Sequence, residues 1–247
     1  VFHGDYGQVN CKKFDVQRYL DGVGKIGFRN LLALREAETY LDICNTGFVC
    51  SSGVPDEYIS LPKEEKKLYE SKIEILSAGR LVEYKNYSVL INACSKTFDK
   101  GKYKLSIAGD GPLKDILLHQ IHKLNVQEDV ELLGKIPRDV LQRKMRDACV
   151  FALISSHETF GLVYLEAMLQ GCIVIASKYG GVDGIIQNGE NGFLCTEGDE
   201  EELVSILKKI NAKTDSEKKR ISENAIKTAL EYSDTKVAER YLKEIVS

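Results

Sequence analysis

Four charged side chains and one glycine-led turn carry most of the chemistry legible along this chain. Arg80 and Lys85 stand five apart in SAGRLVEYKNY, just after the glycine that ends an apolar run. Two cations so placed suit a phosphate or diphosphate, Arg through a bidentate fork and Lys as a mobile point charge. The bland alternative is a solvated loop with ordinary surface charges. Glu158 and Glu166 stand eight apart in HETFGLVYLEAMLQGCIVIAS. Between them Gly161 permits close backbone approach. The amides of Gly161 and Leu162 are expected at a helix N-terminus, where unpaired N–H groups and the dipole attract an anion. An acid beside an anion site cannot itself favour the anion, so Glu158 suits the acceptance of hydroxyl groups; the alternative is a capping or surface acid. Glu166, about two turns further on, is expected on roughly the same face, reaching a second set of hydroxyls. Its alternative is an exposed acid on an otherwise apolar helix.

Two further turns invite the same question. AGDGPLKDIL brackets a turn with Gly109 and Gly111 and feeds a helix through Pro112; tight strand-to-helix packing explains it equally well. LLGKIPRDVL places Lys135 and Ile136 after a strand, with Pro137 opening a helix. That arrangement is informative only where something planar needs a backbone edge to bind.

The elements that must position these residues alternate. IEILSAG (73–79), YKLSIAG (103–109), DVELLG (129–134), CVFALI (149–154), CIVIAS (172–177) and GFLC (192–195) read as short buried strands. Between or after them lie the amphipathic stretches YSVLINACSKTF, LKDILLHQIHKL, RDVLQRKMRDA, GLVYLEAMLQG and EELVSILKKIN. Strands separated by helices of that length imply βαβ crossovers and a parallel sheet covered on both faces, an α/β doubly wound domain of Rossmann type. Such domains bind ligands outside the carboxyl ends of their strands, which is where the residues above fall. Residues 1–55 differ: a polar stretch, a helical FRNLLALREAETYL and an isolated TGFVCSSGVP suggest the tail of another domain, followed by a linker near VPDEYISLPKEEKK.

Composition excludes several classes. The 247 residues are 43% hydrophobic and 29% charged with a formal net charge of −3, so no bulk electrostatic pull toward nucleic acid exists. Cys11, Cys44, Cys50, Cys94, Cys149, Cys172 and Cys195 are scattered, odd in number and without C-x-x-C spacing, which reads as reduced thiols in a cytosolic protein. No run of about 18 apolar residues reads as a membrane span and no signal-peptide pattern opens the chain; lying against a membrane stays open. No H-x-x-x-H, C-x-x-C or D-x-D occurs, so no metal is expected. His119 and His122, three apart, read as a solvated helix face. GVGKIG has the G-x-G-x-x-G spacing of a dinucleotide fingerprint, but no clear strand precedes it and no second strand is expected at βαβ distance.

With these residues in place, the chain resembles the retaining GT-B glycosyltransferases of the "glycosyl transferases group 1" family. The family's signature, a Glu, seven residues and a second Glu, appears as Glu158 to Glu166. The resemblance continues through AGRLVEYKNYSVLINA, LSIAGDGPLKDIL, VELLGKIPRDVL and GGVDGIIQNGENGFL, covering roughly residues 50–247. It implies the C-terminal half of a GT-B fold, with residues 1–55 a remnant of an acceptor-binding domain plus hinge. Residues 56–228 would then be the donor-binding domain and 229–247 a crossover helix. Glu158 would hold donor-sugar hydroxyls, Glu166 the ribose, and Arg80 with Lys85 the diphosphate. Lys135 and Ile136 would line the base pocket, while Gly109, Asp110, Gly111, Thr159, Phe160, Gly161 and Leu162 would complete the donor site. The implied donor is a nucleoside diphosphate hexose, UDP first and GDP second, with no cofactor. The acceptor would be a saccharide or lipid-linked hydroxyl, placing the full-length protein in the cytoplasm or at the inner membrane face.

Two departures from the family pattern matter. The hinge reads Ser52-Gly53-Val54, without its usual Asn, and most of the first domain is absent, so that Val1 suggests missing upstream sequence and little activity from this chain alone. VFHGD resembles the strand end that carries a histidine near the sugar, which implicates His3. Two other readings stay open at this stage: a non-catalytic nucleotide-sugar-binding module of a partner complex, and a nucleotide-sugar epimerase.

Overall fold

The computed structural model describes residues 18, 20, 22–59, 72–156, 158–182 and 184–246. His3 lies outside them. The first described unit is a small βαβ: β1 (Ile26–Phe28), α1 (Leu31–Glu38) and β2 (Gly47–Val49), with the strands paired in parallel from Ile26↔Gly47 to Phe28↔Val49. Asn30 starts α1, its Oδ1 accepting from the Ala33 amide at 2.7 Å. Ile26, Phe28, Ala37, Leu41 and Ile43 form a separate small core beneath it. This corrects the expectation that no second strand follows GVGKIG: one does, at βαβ distance. Each strand is three residues long, too short for periodicity to register. The glycine pattern precedes and enters β1 instead of joining strand to helix, so the structure lends the dinucleotide reading no support.

The main body is a six-stranded sheet of β3 (Ile73–Ala78), β4 (Tyr103–Ala108), β5 (Val130–Gly134), β6 (Val150–Leu153), β7 (Ile173–Ser177) and β8 (Phe193–Cys195). Its order is β5–β4–β3–β6–β7–β8 and every pairing is parallel. The helices are α2 (Tyr87–Thr97), α3 (Lys114–Leu124), α4 (Arg138–Asp147), α5 (Leu162–Leu169), α6 (Glu200–Asn211), α7 (Asp215–Leu230) and α8 (Asp234–Val246). Every residue of β6 and β7 is buried, as expected of strands covered on both faces. Their apolar side chains supply the largest stabilising term, each fully buried large one contributing about 1.5–3 kcal/mol. Two of the buried strand serines are satisfied across the sheet: Ser77 Oγ donates to the Ala152 carbonyl at 2.6 Å and Ser177 Oγ to that of Ser155 at 2.7 Å.

Helix ends follow their sequence. Asp199 caps α6 through the Glu202 amide, and Thr214 with Glu217 forms a capping box on α7. Helix α7 was not among the amphipathic stretches expected from sequence. Its buried positions are few and, apart from Ile221, small (Ser222, Ala225, Ala229), so it carries little apolar signal although it packs beside α5. The chain then returns: Val54 bridges Ser233, Thr235 Oγ1 donates to Asp56, and Tyr241 on α8 meets Phe48 on β2 with ring centroids 6.0 Å apart. None of the described helices is long and apolar enough to cross a membrane.

The strand ends of β3 and β4 are pressed together, and Gly109 is the point of closest approach. Its φ is +143°, and a Cβ there would lie 1.8 Å from the Gly79 carbonyl oxygen. Gly101, also left-handed at φ +77°, has open space around it. Gly101→Ala should therefore cost only the left-handed backbone penalty of about 1–2 kcal/mol, while Gly109→Ala should cost clearly more because the two loops must part. Urea denaturation of the two variants side by side measures the difference, and equal costs would contradict the close packing.

Candidate functional site

The strand order reverses between β3 and β6, which opens a crevice at their carboxyl ends; in open α/β sheets that is where ligands sit. The loop after β3 delivers Arg80, exposed, and then a single 3-10 turn, Glu83–Lys85. The loop after β6 delivers Glu158. Lys85 Nζ and Glu158 Oε2 meet at 2.5 Å across the crevice, with side chains 12% and 20% exposed. The two loops are tied by backbone and side chain: the Ser156 amide donates to the Tyr84 carbonyl at 2.7 Å. Asn86 Nδ2 donates to the Ile154 carbonyl at 2.8 Å and to Ser156 Oγ at 3.3 Å. Asn86 occupies the left-handed region at φ 55° and ψ 33°, a conformation Asn tolerates better than most residues.

Beneath the pair lie two buried tyrosines. Tyr164 OH donates to the Leu153 carbonyl at 2.8 Å. Tyr87 OH has no hydrogen-bond partner within the described protein. Burial, with a smaller push from Glu158, raises the pKa of both phenols far above the ordinary range, so both stay neutral and protonated. The floor of the site is thus uncharged.

Gly161, with a φ of +75°, is the N-cap of α5 and offers no side-chain cap. A Cβ there would fall 2.4 Å from the Tyr164 ring. The first amides of α5 are left to whatever approaches. Thr159 is exposed and its carbonyl accepts from Asn30 Nδ2, joining the small βαβ unit to the site. Phe160 is buried, its ring 6.4 Å from that of Tyr232. On the other flank, the exposed Asp110 turns its carboxylate back to the Gly111 amide at 2.9 Å. Lys135 is exposed and Ile136 half-buried just before α4.

Glu158 precedes α5 and Glu166 lies within it, so helical periodicity alone does not place the two acids on one face; Glu166 is not the exposed acid that the alternative reading expected. Glu166 is 4% exposed and faces α4: Arg138 Nη2 donates to its Oε1, and Gln142 Nε2 to its Oε2 at 3.1 Å. Burial raises the pKa of its carboxyl, against the opposing influence of Arg138 and Gln142. Sequence reading passed over Arg138, Gln142 and Asn86. A left-handed Asn between a loop and a helix start has a recognisable signal; a partner 28 residues away has none. Among the described residues no cluster of three or more His, Cys, Asp or Glu is placed to hold a metal ion.

Comparison with known proteins decides the family. The family model described as "Glycosyl transferases group 1" matches residues 61–228, well over half of the chain. The chain belongs to that family. It is 38% identical over 118 residues to an uncharacterized glycosyltransferase of Methanocaldococcus jannaschii, covering 48% of this chain and 30% of that protein. It is 31% identical over 137 residues to the N-acetyl-alpha-D-glucosaminyl L-malate synthase of Bacillus anthracis, covering 56% and 35%. A lipopolysaccharide core biosynthesis glycosyltransferase of Rhizobium meliloti is 30% identical over 174 residues, covering 70% and 49%. The chain thus spans about a third to a half of these relatives. In fold it matches the Anabaena protein HepE, solved in complex with UDP, with a TM-score of 0.84 at 21% identity, covering 99% of this chain and 70% of that one. The parallel six-stranded sheet flanked by helices is that of GT-B glycosyltransferases.

The tie between the two site loops is open to test at Asn86. Asn86→Gly keeps the left-handed backbone but loses the amide's two hydrogen bonds, which should cost about 1–2 kcal/mol. Asn86→Ala loses both features and should cost about 1–2 kcal/mol more. Chemical denaturation of both variants checks the order; an Ala variant as stable as the Gly variant would show that the backbone conformation is not what Asn86 supplies.

Proposed function

We propose that this chain is the donor-binding side of a retaining glycosyltransferase. It takes a hexose from a nucleoside diphosphate sugar, UDP before GDP, for transfer to a hydroxyl of a saccharide or lipid-linked acceptor. The observation that carries the reading is the Lys85–Glu158 pair at the crevice of the reversed sheet, beside the uncapped start of α5. Family membership supports the reaction class, and the UDP held by HepE supports the nucleotide. The name of the Bacillus anthracis relative, an N-acetyl-alpha-D-glucosaminyl L-malate synthase, supports transfer of a hexose-type sugar, and that of the Rhizobium meliloti relative, lipopolysaccharide core biosynthesis, supports a saccharide acceptor.

The chemistry follows from charge. As the glycosidic bond breaks, negative charge builds on the departing diphosphate, and fixed donors aimed at it stabilise the transition state. Arg80, Lys85 and the first amides of α5 are those donors, and no metal is required of the site. Lys85 carries three N–H bonds, enough to keep Glu158 and donate to a phosphate oxygen together. Glu158 then accepts hydroxyls of the sugar, and Glu166 those of the ribose. The acceptor hydroxyl attacks from the face the diphosphate leaves and passes its proton to the leaving phosphate, so the anomeric configuration is retained.

Isothermal titration separates these roles. Replacing Arg80 and Lys85 together by Ala should weaken UDP far more than uridine, by about 1.5–3 kcal/mol for the half-buried Lys85 and less for the exposed Arg80. Equal losses for both ligands would remove the diphosphate assignment.

The two glutamates should part company in the same assay. Glu166→Ala is expected to weaken UDP and UDP-hexose alike, whereas Glu158→Ala spares UDP and impairs only the sugar-bearing ligand. Identical profiles from the two variants would end that division of labour.

A further inference from the structure

We infer that Arg138 is a positioning residue for nucleotide binding, holding the Glu166 carboxylate ionised and aimed so that it can accept a ribose diol. The inference rests on the reading of Glu166 given above and deepens it. Nothing in the spacing of the two glutamates calls for a cation at position 138; the geometry does.

An almost fully buried carboxyl group loses its charge unless a partner keeps it. A neutral carboxyl is a poor acceptor for two hydroxyls, because one oxygen then carries a proton. Burial already pushes Glu166 toward that state, and among the described residues the charged group that opposes it is Arg138. The phenol of Tyr58 also faces Glu166, and Gln142 contributes a neutral amide. An ionised carboxylate offers about four lone-pair positions. Arg138 occupies one on Oε1 and Gln142 one on Oε2, which leaves one on each oxygen for a vicinal diol.

Arg138 is itself held. It is the first residue of α4, where the helix dipole disfavours a cation. Two contacts offset that cost: Glu166, and the Tyr58 ring 5.4 Å below the guanidinium. Gln142 is fixed in turn by Gln170 Nε2, which donates to its Oε1 at 3.1 Å. Tyr58 lies on the segment that bridges Ser233 at Val54 and receives Thr235 at Asp56. The aim of Glu166 therefore depends on the chain segment that joins the small βαβ unit to the donor domain. Arg138 is 57% exposed on its side chain, so its removal leaves no cavity in the core.

The test is UDP titration calorimetry from about pH 5 to about pH 8, a range over which a raised carboxyl can titrate. Wild type, R138M, R138Q, R138K and Y58L would be compared, with circular dichroism confirming that each is folded. The sign is set by the ionised form being the one that binds. Without Arg138 the carboxyl pKa rises further, so the low-pH loss of UDP affinity should move up in pH. R138M and R138Q should bind UDP about tenfold or more weakly near the acidic end, and less weakly near the alkaline end. R138K should restore most of the affinity, and Y58L should shift the same limb by less. Tighter UDP binding by R138M would mean that Arg138 blocks the carboxylate, and an equal loss at every pH would mean a merely structural role; either overturns the inference. Wild-type chain that fails to bind UDP at any pH, or binds it unchanged as E166Q, would instead overturn the assignment of Glu166.

Discussion

The reversal of strand order between β3 and β6 is the constraint on which the rest depends. A chain that lays β4 and β5 to one side of β3, and then β6, β7 and β8 to the other, cannot cover the carboxyl ends at the reversal with its own crossovers. The loops after β3 and β6 must part there, yet they must be held close enough to share a ligand. Asn86, the Ser156 amide and the Lys85–Glu158 pair meet that demand. They tie two loops that topology would separate, using one left-handed residue, two backbone carbonyls and one charge pair. Lys85 and Glu158 satisfy one another across the crevice, while the buried tyrosines beneath stay neutral.

Much of this was legible in the sequence. The six strands of the main sheet could be located because parallel strands buried on both faces are near-continuous apolar runs, and Gly79, Gly109 and Gly134 mark where β3, β4 and β5 end. Arg80, Lys85, Glu158 and Gly161 could be assigned to one crevice because a doubly wound sheet gathers its carboxyl-terminal loops. Where the reading failed, the reasons are physical. The small βαβ unit is built from three-residue strands that leave no periodic trace. Helix α7 buries small residues, so its apolar face is weak. The shared face assumed for Glu158 and Glu166 treated eight residues as two turns of one helix, but the helix begins only at Leu162. Arg138 was invisible for a different reason, since its partner is fixed by how α4 packs on α5 and by nothing local.

The proposed donor site rests on two ion pairs that differ in burial, and that difference orders the roles proposed for them. Lys85 and Glu158 share their burial, with side chains 12% and 20% exposed, so neither alone bears the desolvation cost and each keeps some surface that a ligand can reach. Arg138 and Glu166 are unequal: the cation is more than half exposed and the carboxylate almost wholly buried. In such a pair the buried partner bears the desolvation cost, and removing the exposed one leaves a charge that cannot persist. The first pair is suited to exchange partners as a ligand changes its charge during reaction. The second is suited to stay as it is and present one fixed acceptor. Such a site can bind the nucleotide with the unchanging pair and spend the adaptable pair on charge that appears only in the transition state, which is the condition for binding energy to accelerate a reaction.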